Sequence, residues 1–218
     1  MTTPRIVVLV SGTGSNLQAI IDRISDGSIN AEIAAVISNR PNVFGLERAA
    51  QAGIKTELVD HTQFDDRQAF DQKLQQVIDI YEPHLVVLAG FMRILTAEFT
   101  NHYLGRMLNI HPSLLPKYQG LYTHQRALDA NDDCHGVTVH FVTAELDGGP
   151  NAIQAIVPVL DGDDVGTLSK RVQQQEHHIY PLAVQWFVEQ RLSMDGQHCT
   201  LDRVQLPLSG YVLDSRDN

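Results

Sequence analysis

Ile6-Val7-Val8-Leu9-Val10-Ser11-Gly12-Thr13-Gly14-Ser15-Asn16-Leu17-Gln18-Ala19-Ile20-Ile21 decides the fold class. Five consecutive apolar and mostly β-branched residues predict a strand buried on both faces, and the run from Leu17 predicts a helix. The glycines between them permit a tight turn and close approach of the backbone to a ligand, while the start of the helix presents free N–H groups to an anion. Strand, glycine loop and helix in that order open an α/β domain. Gly12-x-Gly14 lacks the third glycine of the dinucleotide fingerprint, and no Gly-Lys-Ser or Gly-Lys-Thr follows, so the loop suits a monophosphate. The alternative is that Ser15 and Gln18, at capping-box spacing, merely start the helix.

The βαβ rhythm continues outward from this stretch. Strands are expected at Ile33–Ser38 and Thr56–Val59, with a short helix over Gly45–Gly53 between them. Asp65 and Gln68 have capping-box spacing ahead of a helix whose apolar face is Phe70, Leu74, Val77, Ile78 and Tyr81. Arg67 sits in the first turn of that helix, where the dipole disfavours a cation, so it is either solvated or reaches a ligand. Leu85–Ala89 is the most hydrophobic strand of the chain, as expected at the centre of a parallel sheet. The loop behind it, Gly90-Phe91-Met92-Arg93-Ile94-Leu95, is apolar enough to close the core, to form a flat wall for an aromatic ligand, or to do both. Thr96 is the expected N-cap of the next helix.

Met107-Leu108-Asn109-Ile110-His111-Pro112-Ser113-Leu114-Leu115-Pro116 places two polar side chains at the end of an apolar run. Alternation along a strand puts Asn109 and His111 on one face, and Pro112 ends the strand at His111. In open α/β sheets ligands bind at that carboxyl edge; the alternative is an ordinary strand exit with one hydrogen-bonded histidine. After an irregular loop over 117–124 and a short helix over Gln125–Ala130, Gly136–Val142 reads as a strand. It runs into the acidic turn Glu145-Leu146-Asp147-Gly148-Gly149-Pro150. Asp147 is either the partner of a catalytic His111 or simply a turn former. Ala152–Val159 is expected to pair with the preceding strand. Asp163-Asp164 then opens a long helix with Val165, Leu168 and Val172 inward and a break or kink at Pro181. Beyond Met194 the polarity is mixed, and only a peripheral covering role is expected.

An imidazolium held by a carboxylate, with an amide donor beside it, suits a developing oxyanion, which points to acyl transfer. Ser113 lies too close to His111 to be its nucleophile, and there is no Gly-x-Ser-x-Gly elbow, so a serine hydrolase is a poor fit. The 218 residues, 43% hydrophobic, suffice for one substantial core, and a single domain over 1–218 is expected. No apolar run approaches the length of a membrane span, and none reads as a signal peptide. A cytoplasmic protein is expected, with no membrane partner. Cys134 and Cys199 form no CxxC pattern, and His135 and His140 alternate to opposite strand faces, so no metal site is expected. A net charge of -10 repels phosphate polymers and argues against nucleic acid as a partner.

Gly12-Thr13-Gly14-Ser15-Asn16, Ala89–Leu95, Asn109-Ile110-His111-Pro112-Ser113-Leu114-Leu115-Pro116 and Leu146-Asp147-Gly148-Gly149-Pro150 occur in an order that resembles the phosphoribosylglycinamide formyltransferase family of folate-dependent enzymes. The resemblance covers nearly the whole chain. It implies a Rossmann-like α/β fold, a mostly parallel twisted sheet flanked by helices with an antiparallel C-terminal edge. It implies transfer of a formyl group from the cosubstrate 10-formyltetrahydrofolate to the amine of glycinamide ribonucleotide in de novo purine synthesis, without a metal. By position it makes Asn109, His111 and Asp147 the catalytic group, and gives the ribonucleotide Gly14, Ser15, Asn16, Gln173 and Glu176. It sets the folate against Arg67, Met92, Arg93, Ile94, Leu95 and Asn109. Thr13 stands where Asn is frequent in the family, and Gln119 and Tyr122 where bacterial members often have Pro and His. A formyltetrahydrofolate hydrolase would ordinarily carry an N-terminal regulatory domain, and a methionyl-tRNA formyltransferase a C-terminal RNA-binding one. A non-catalytic phosphate sensor would have no need of the Asn109, His111 and Asp147 set. The partners expected are the two small molecules, with the chain a monomer or weak homodimer.

Overall fold

A computed structural model describes residues 2–217. The chain forms two compact units, one up to Asn109 and one from Ile110 onward.

In the first unit β1 (Arg5–Val10), α1 (Ser15–Ser25), β2 (Glu32–Ser38), α2 (Phe44–Gln51) and β3 (Thr56–Leu58) run in βα alternation. They are followed by α3 (Arg67–Asp79), β4 (Leu85–Leu88), α4 (Ala97–His102) and β5 (Met107–His111), whose last two residues belong to the second unit. All pairings in the order β5-β4-β1-β2-β3 are parallel. Ile6–Val10 and Leu85–Val87 are completely buried, which is why these central strands read as continuous apolar runs. The chain adds strands to one side of β1 and then, through β4, to the other. The carboxyl ends of β1 and β4 therefore flank a topological switch point, where open α/β sheets form their ligand crevice.

In the second unit α5 (Thr123–Asp129) leads to β6 (Cys134–Phe141), β7 (Asn151–Pro158) and the long α6 (Val165–Val188). β6 and β7 pair antiparallel, and the late strand β11 (Tyr211–Asp214) adds to β7 in parallel. The fold class is α/β, with eight strands in a mostly parallel mixed sheet flanked by helices. A separate antiparallel sheet comprises β8 (Leu192–Asp195), β9 (His198–Leu201) and β10 (Val204–Gln205).

Local chemistry sets the element ends, with some departures from expectation. α3 is capped by Asp66, whose carboxylate accepts from Ala69 N–H at 2.8 Å, one residue after the expected Asp65. Thr96 caps α4 as expected, and Asp164 with Thr167 closes a capping box on α6. α5 begins at Thr123, two residues before the expected start. Pro181 does not break α6. The lost hydrogen bond and ring clash cost about 3 kcal/mol. Ile179, Tyr180, Ala183, Val184 and Trp186 are all buried on the two turns around it, at about 2 kcal/mol for each of the larger side chains, and outweigh it. Val165, expected inward, is 39% exposed, because it opens the helix ahead of its buried face at Leu168 and Val172. The segment after Met194 does more than cover: it builds the small sheet and β11, which is anchored by Tyr211 edge-on to Trp186 at 5.4 Å. Strands of two to four residues are too short to leave a readable period.

Candidate active site

In the first unit, two loops follow the carboxyl ends of β1 and β4. Ser11 joins them: its hydroxyl donates to Asn39 Oδ1 and accepts from Met92 N–H at 2.8 Å. Gly14, the residue before α1, has φ +69°, and a Cβ there would stand 2.6 Å from Gly45 Cα in α2, so only glycine fits. α1 starts without a side-chain cap. Ser15 is its first helical residue, and Gln18 spans Asp22 and Arg48 instead of reaching back, so the capping-box alternative is not made. Asn16 is buried.

The loop after β4 is divided in its burial. Phe91 is buried and closes the core, whereas Met92 is 59% and Ile94 54% exposed, with Arg93 and Leu95 half-buried between and beside them. The Arg93 guanidinium lies 5.5 Å from the Phe70 ring centre. Beneath the loop, Asp71 is buried and accepts from Thr96 N–H at 2.6 Å; burial raises its carboxyl above the ordinary range, against the pull of Arg67 and Arg93. Arg67 itself is exposed at the first turn of α3. Asn109 ends the first unit, two residues before His111 along β5 and on the same strand face.

In the second unit, His111 and Asp147 come together. His111 is buried at the end of β5, with Nδ1 3.5 Å from Asp147 Oδ2 and Nε2 2.9 Å from the carbonyl of Tyr118. A carbonyl only accepts, so Nε2 carries a hydrogen. Asp147 is held in turn by Gly120 N–H, which donates to Oδ2 at 2.9 Å, in a turn where Asp147 has φ +50°. Ser113 is committed elsewhere, donating to the Lys117 carbonyl at 2.6 Å. Gln173 is exposed and Glu176 half-buried, three residues apart on α6.

His140 was not singled out from the sequence. Its Nε2 faces Asp147 Oδ1 at 3.8 Å, so the carboxylate lies between two imidazoles. The register shifts between Val139 and His140, where β7 carries an extra residue opposite β6. His140 Nδ1 donates to the Phe141 carbonyl, and burial pushes the ring down to about 4. His135, buried against His124 at 3.1 Å, is pushed down to about 4 for the same reason. Both fold as neutral rings but titrate near the ordinary value of about 6.5 when unfolded, so below that pH the unfolded chain binds the extra protons. Stability is therefore full above about pH 6.5 and falls towards pH 4, each ring steepening the fall by at most about 1.4 kcal/mol per pH unit. Melting curves from pH 7.5 to 4.5 should show this decline, less steeply for His135→Gln. An unchanged slope in that variant would refute the assignment for His135. Among the described residues no group of three or more His, Cys, Asp or Glu is placed to hold a metal ion, and no helix is long and apolar enough to cross a membrane.

Residues 4–184 match the model of the formyl transferase family. Phosphoribosylglycinamide formyltransferase of Escherichia coli (strain K12) is 56% identical over 209 residues, 96% of this chain and 99% of that protein. The chain belongs to the phosphoribosylglycinamide formyltransferases. The family's solved structure from Coxiella burnetii matches at a TM-score of 0.93 with 50% identity, covering 97% of this chain and all of that one. The trifunctional purine biosynthetic protein adenosine-3 of Bos taurus is 46% identical over 89% of this chain, which spans 20% of that larger protein. As a family member the chain is a formyl-transferring enzyme of purine biosynthesis.

Proposed function

We propose that the chain transfers the formyl group of 10-formyltetrahydrofolate to the amine of glycinamide ribonucleotide by direct attack through a tetrahedral intermediate. The observation that carries this reading is the buried His111–Asp147 pair, 3.5 Å apart, on a strand that also presents Asn109. In this mechanism the amine nitrogen bonds to the formyl carbon, the carbonyl electrons move to oxygen, and the bond from carbon to the folate nitrogen then breaks. The Asn109 amide donates to the developing oxyanion and His111 stabilises it, while Asp147 holds the His111 ring and helps carry a proton from the amine towards the leaving nitrogen. No covalent nucleophile is required, in keeping with the engaged hydroxyl of Ser113.

Gly14, Ser15 and Asn16, at the start of α1, take the ribonucleotide phosphate, with Gln173 and Glu176 towards phosphate and ribose. The backbone N–H groups and positive dipole end of an eleven-residue helix without a side-chain cap support this. The exposed Met92 and Ile94, with Arg93, Leu95 and Asn109, form the wall for the folate, and Arg67 reaches it from α3. On this reading the chain is a single formyltransferase domain. It works in the cytoplasm as a monomer or weak homodimer, on small molecules and without a metal.

Ser15→Asp tests the phosphate assignment. A second negative charge repels the phosphate, so the KM for the ribonucleotide should rise by about tenfold or more while that for the folate stays within about twofold. Equal changes in both constants would count against it.

A further inference from the structure

The loop between β5 and α5 turns back on His111, and one residue of it is held in an unfavourable conformation. Tyr118 has φ +59°, a left-handed geometry that costs a residue with a Cβ about 1 kcal/mol or more. In that geometry its carbonyl accepts the His111 Nε2 hydrogen at 2.9 Å, which leaves Nδ1 facing Asp147. The side chain of Tyr118 maintains it. Its hydroxyl donates to Asp132 Oδ2 at 2.7 Å, and Lys117 Nζ donates to the same carboxylate at 2.8 and 3.0 Å. The Arg126 guanidinium lies 5.0 Å from the centre of the Tyr118 ring. Asp132 is itself fixed just after α5, its N–H donating to the Ala127 carbonyl at 3.1 Å, two residues before β6 begins.

We infer that Asp132 and the Tyr118 hydroxyl are positioning residues for formyl transfer: they clamp Tyr118 in its left-handed conformation so that its carbonyl holds His111 Nε2 and turns Nδ1 to Asp147. Neither group touches the reacting atoms; both act through His111. The inference rests on the reading of His111 as the catalytic imidazole. Without the clamp, Tyr118 relaxes to negative φ, its carbonyl swings away, and the ring loses the contact that fixes its orientation. A misplaced imidazole lowers the rate of the chemical step without altering the surfaces that bind the two substrates.

Tyr118→Phe keeps the ring and its stacking and removes only the hydroxyl, so it spares the fold. It is compared with Asp132→Ala, with the double variant, and with His111→Asn in the same assay. Tyr118→Phe and Asp132→Ala should each lower kcat by about tenfold, with both KM values within about twofold. The double variant should be no slower than Asp132→Ala, and the ¹⁵N resonances of the His111 ring should move in every clamp variant. Wild-type kcat and unmoved His111 resonances in Tyr118→Phe, while His111→Asn is inactive, would overturn the clamp and leave the catalytic assignment standing. So would multiplicative losses in the double variant. A fully active His111→Asn would overturn the catalytic reading itself, and the clamp with it.

Discussion

His111→Ala should lower kcat by about a thousandfold, equivalent to about 4 kcal/mol in the barrier, while both KM values stay within about threefold. The asymmetry follows from the ring's contacts. Its two nitrogens face Asp147 and the Tyr118 carbonyl, and His111 has no part in the proposed phosphate loop or folate wall. Its contribution lies in charge and proton placement at the reacting carbon, interactions made only as the oxyanion develops. Asp147→Asn keeps the shape and the hydrogen bond from Gly120 N–H to a side-chain oxygen but removes the charge, and should cost about a hundredfold in kcat. Steady-state kinetics with both substrates varied checks the two together. Losses confined to KM would assign His111 to binding and contradict the mechanism.

Gly149→Ala should unfold the acidic turn that carries Asp147. A Cβ at Gly149 would stand 1.9 Å from the Phe141 carbonyl oxygen, and Phe141 N–H is bonded to the Pro150 carbonyl across the same gap. The backbones must separate to admit a methyl group, which costs about 3 kcal/mol and pulls Asp147 from between His111 and His140. At this chain length that lowers Tm by about 9 °C, and kcat should fall with it. Gly166→Ala, in α6 with only Asp164 Oδ1 within 4 Å at 3.3 Å, is the contrasting substitution and should leave Tm within a few degrees. Equal melting temperatures for the two variants would show that the Gly148-Gly149 turn is not built by close approach.

The strands that bury both faces were legible because burial leaves no room for polar residues: Ile6–Val10 and Leu85–Ala89 announce themselves. Met107–His111 was legible for the opposite reason, since two polar side chains interrupt an apolar run just where proline ends it. What the sequence concealed depends on contacts that no local pattern expresses. α6 continues through Pro181 because its neighbours are buried, which no local propensity expresses. His140 meets Asp147, seven residues on, across the turn that follows β6, and no alternation rule expresses that meeting. Gly120 N–H and the Tyr118 carbonyl, which hold Asp147 and His111, are backbone groups, and nothing in a side chain marks them. The role of Gly14 was half visible: the turn could be read, but its close approach to Gly45 in α2 could not.

Transfer from folate to the amine of the ribonucleotide can be separated from simple hydrolysis by the fate of the formyl group. The most direct measurement follows formyl-labelled 10-formyltetrahydrofolate in the presence and absence of glycinamide ribonucleotide. Tetrahydrofolate should be released only with the ribonucleotide present, with one label appearing on the product amine for each folate released. Release of labelled formate at the same rate without the ribonucleotide would contradict transfer and make the chain a hydrolase.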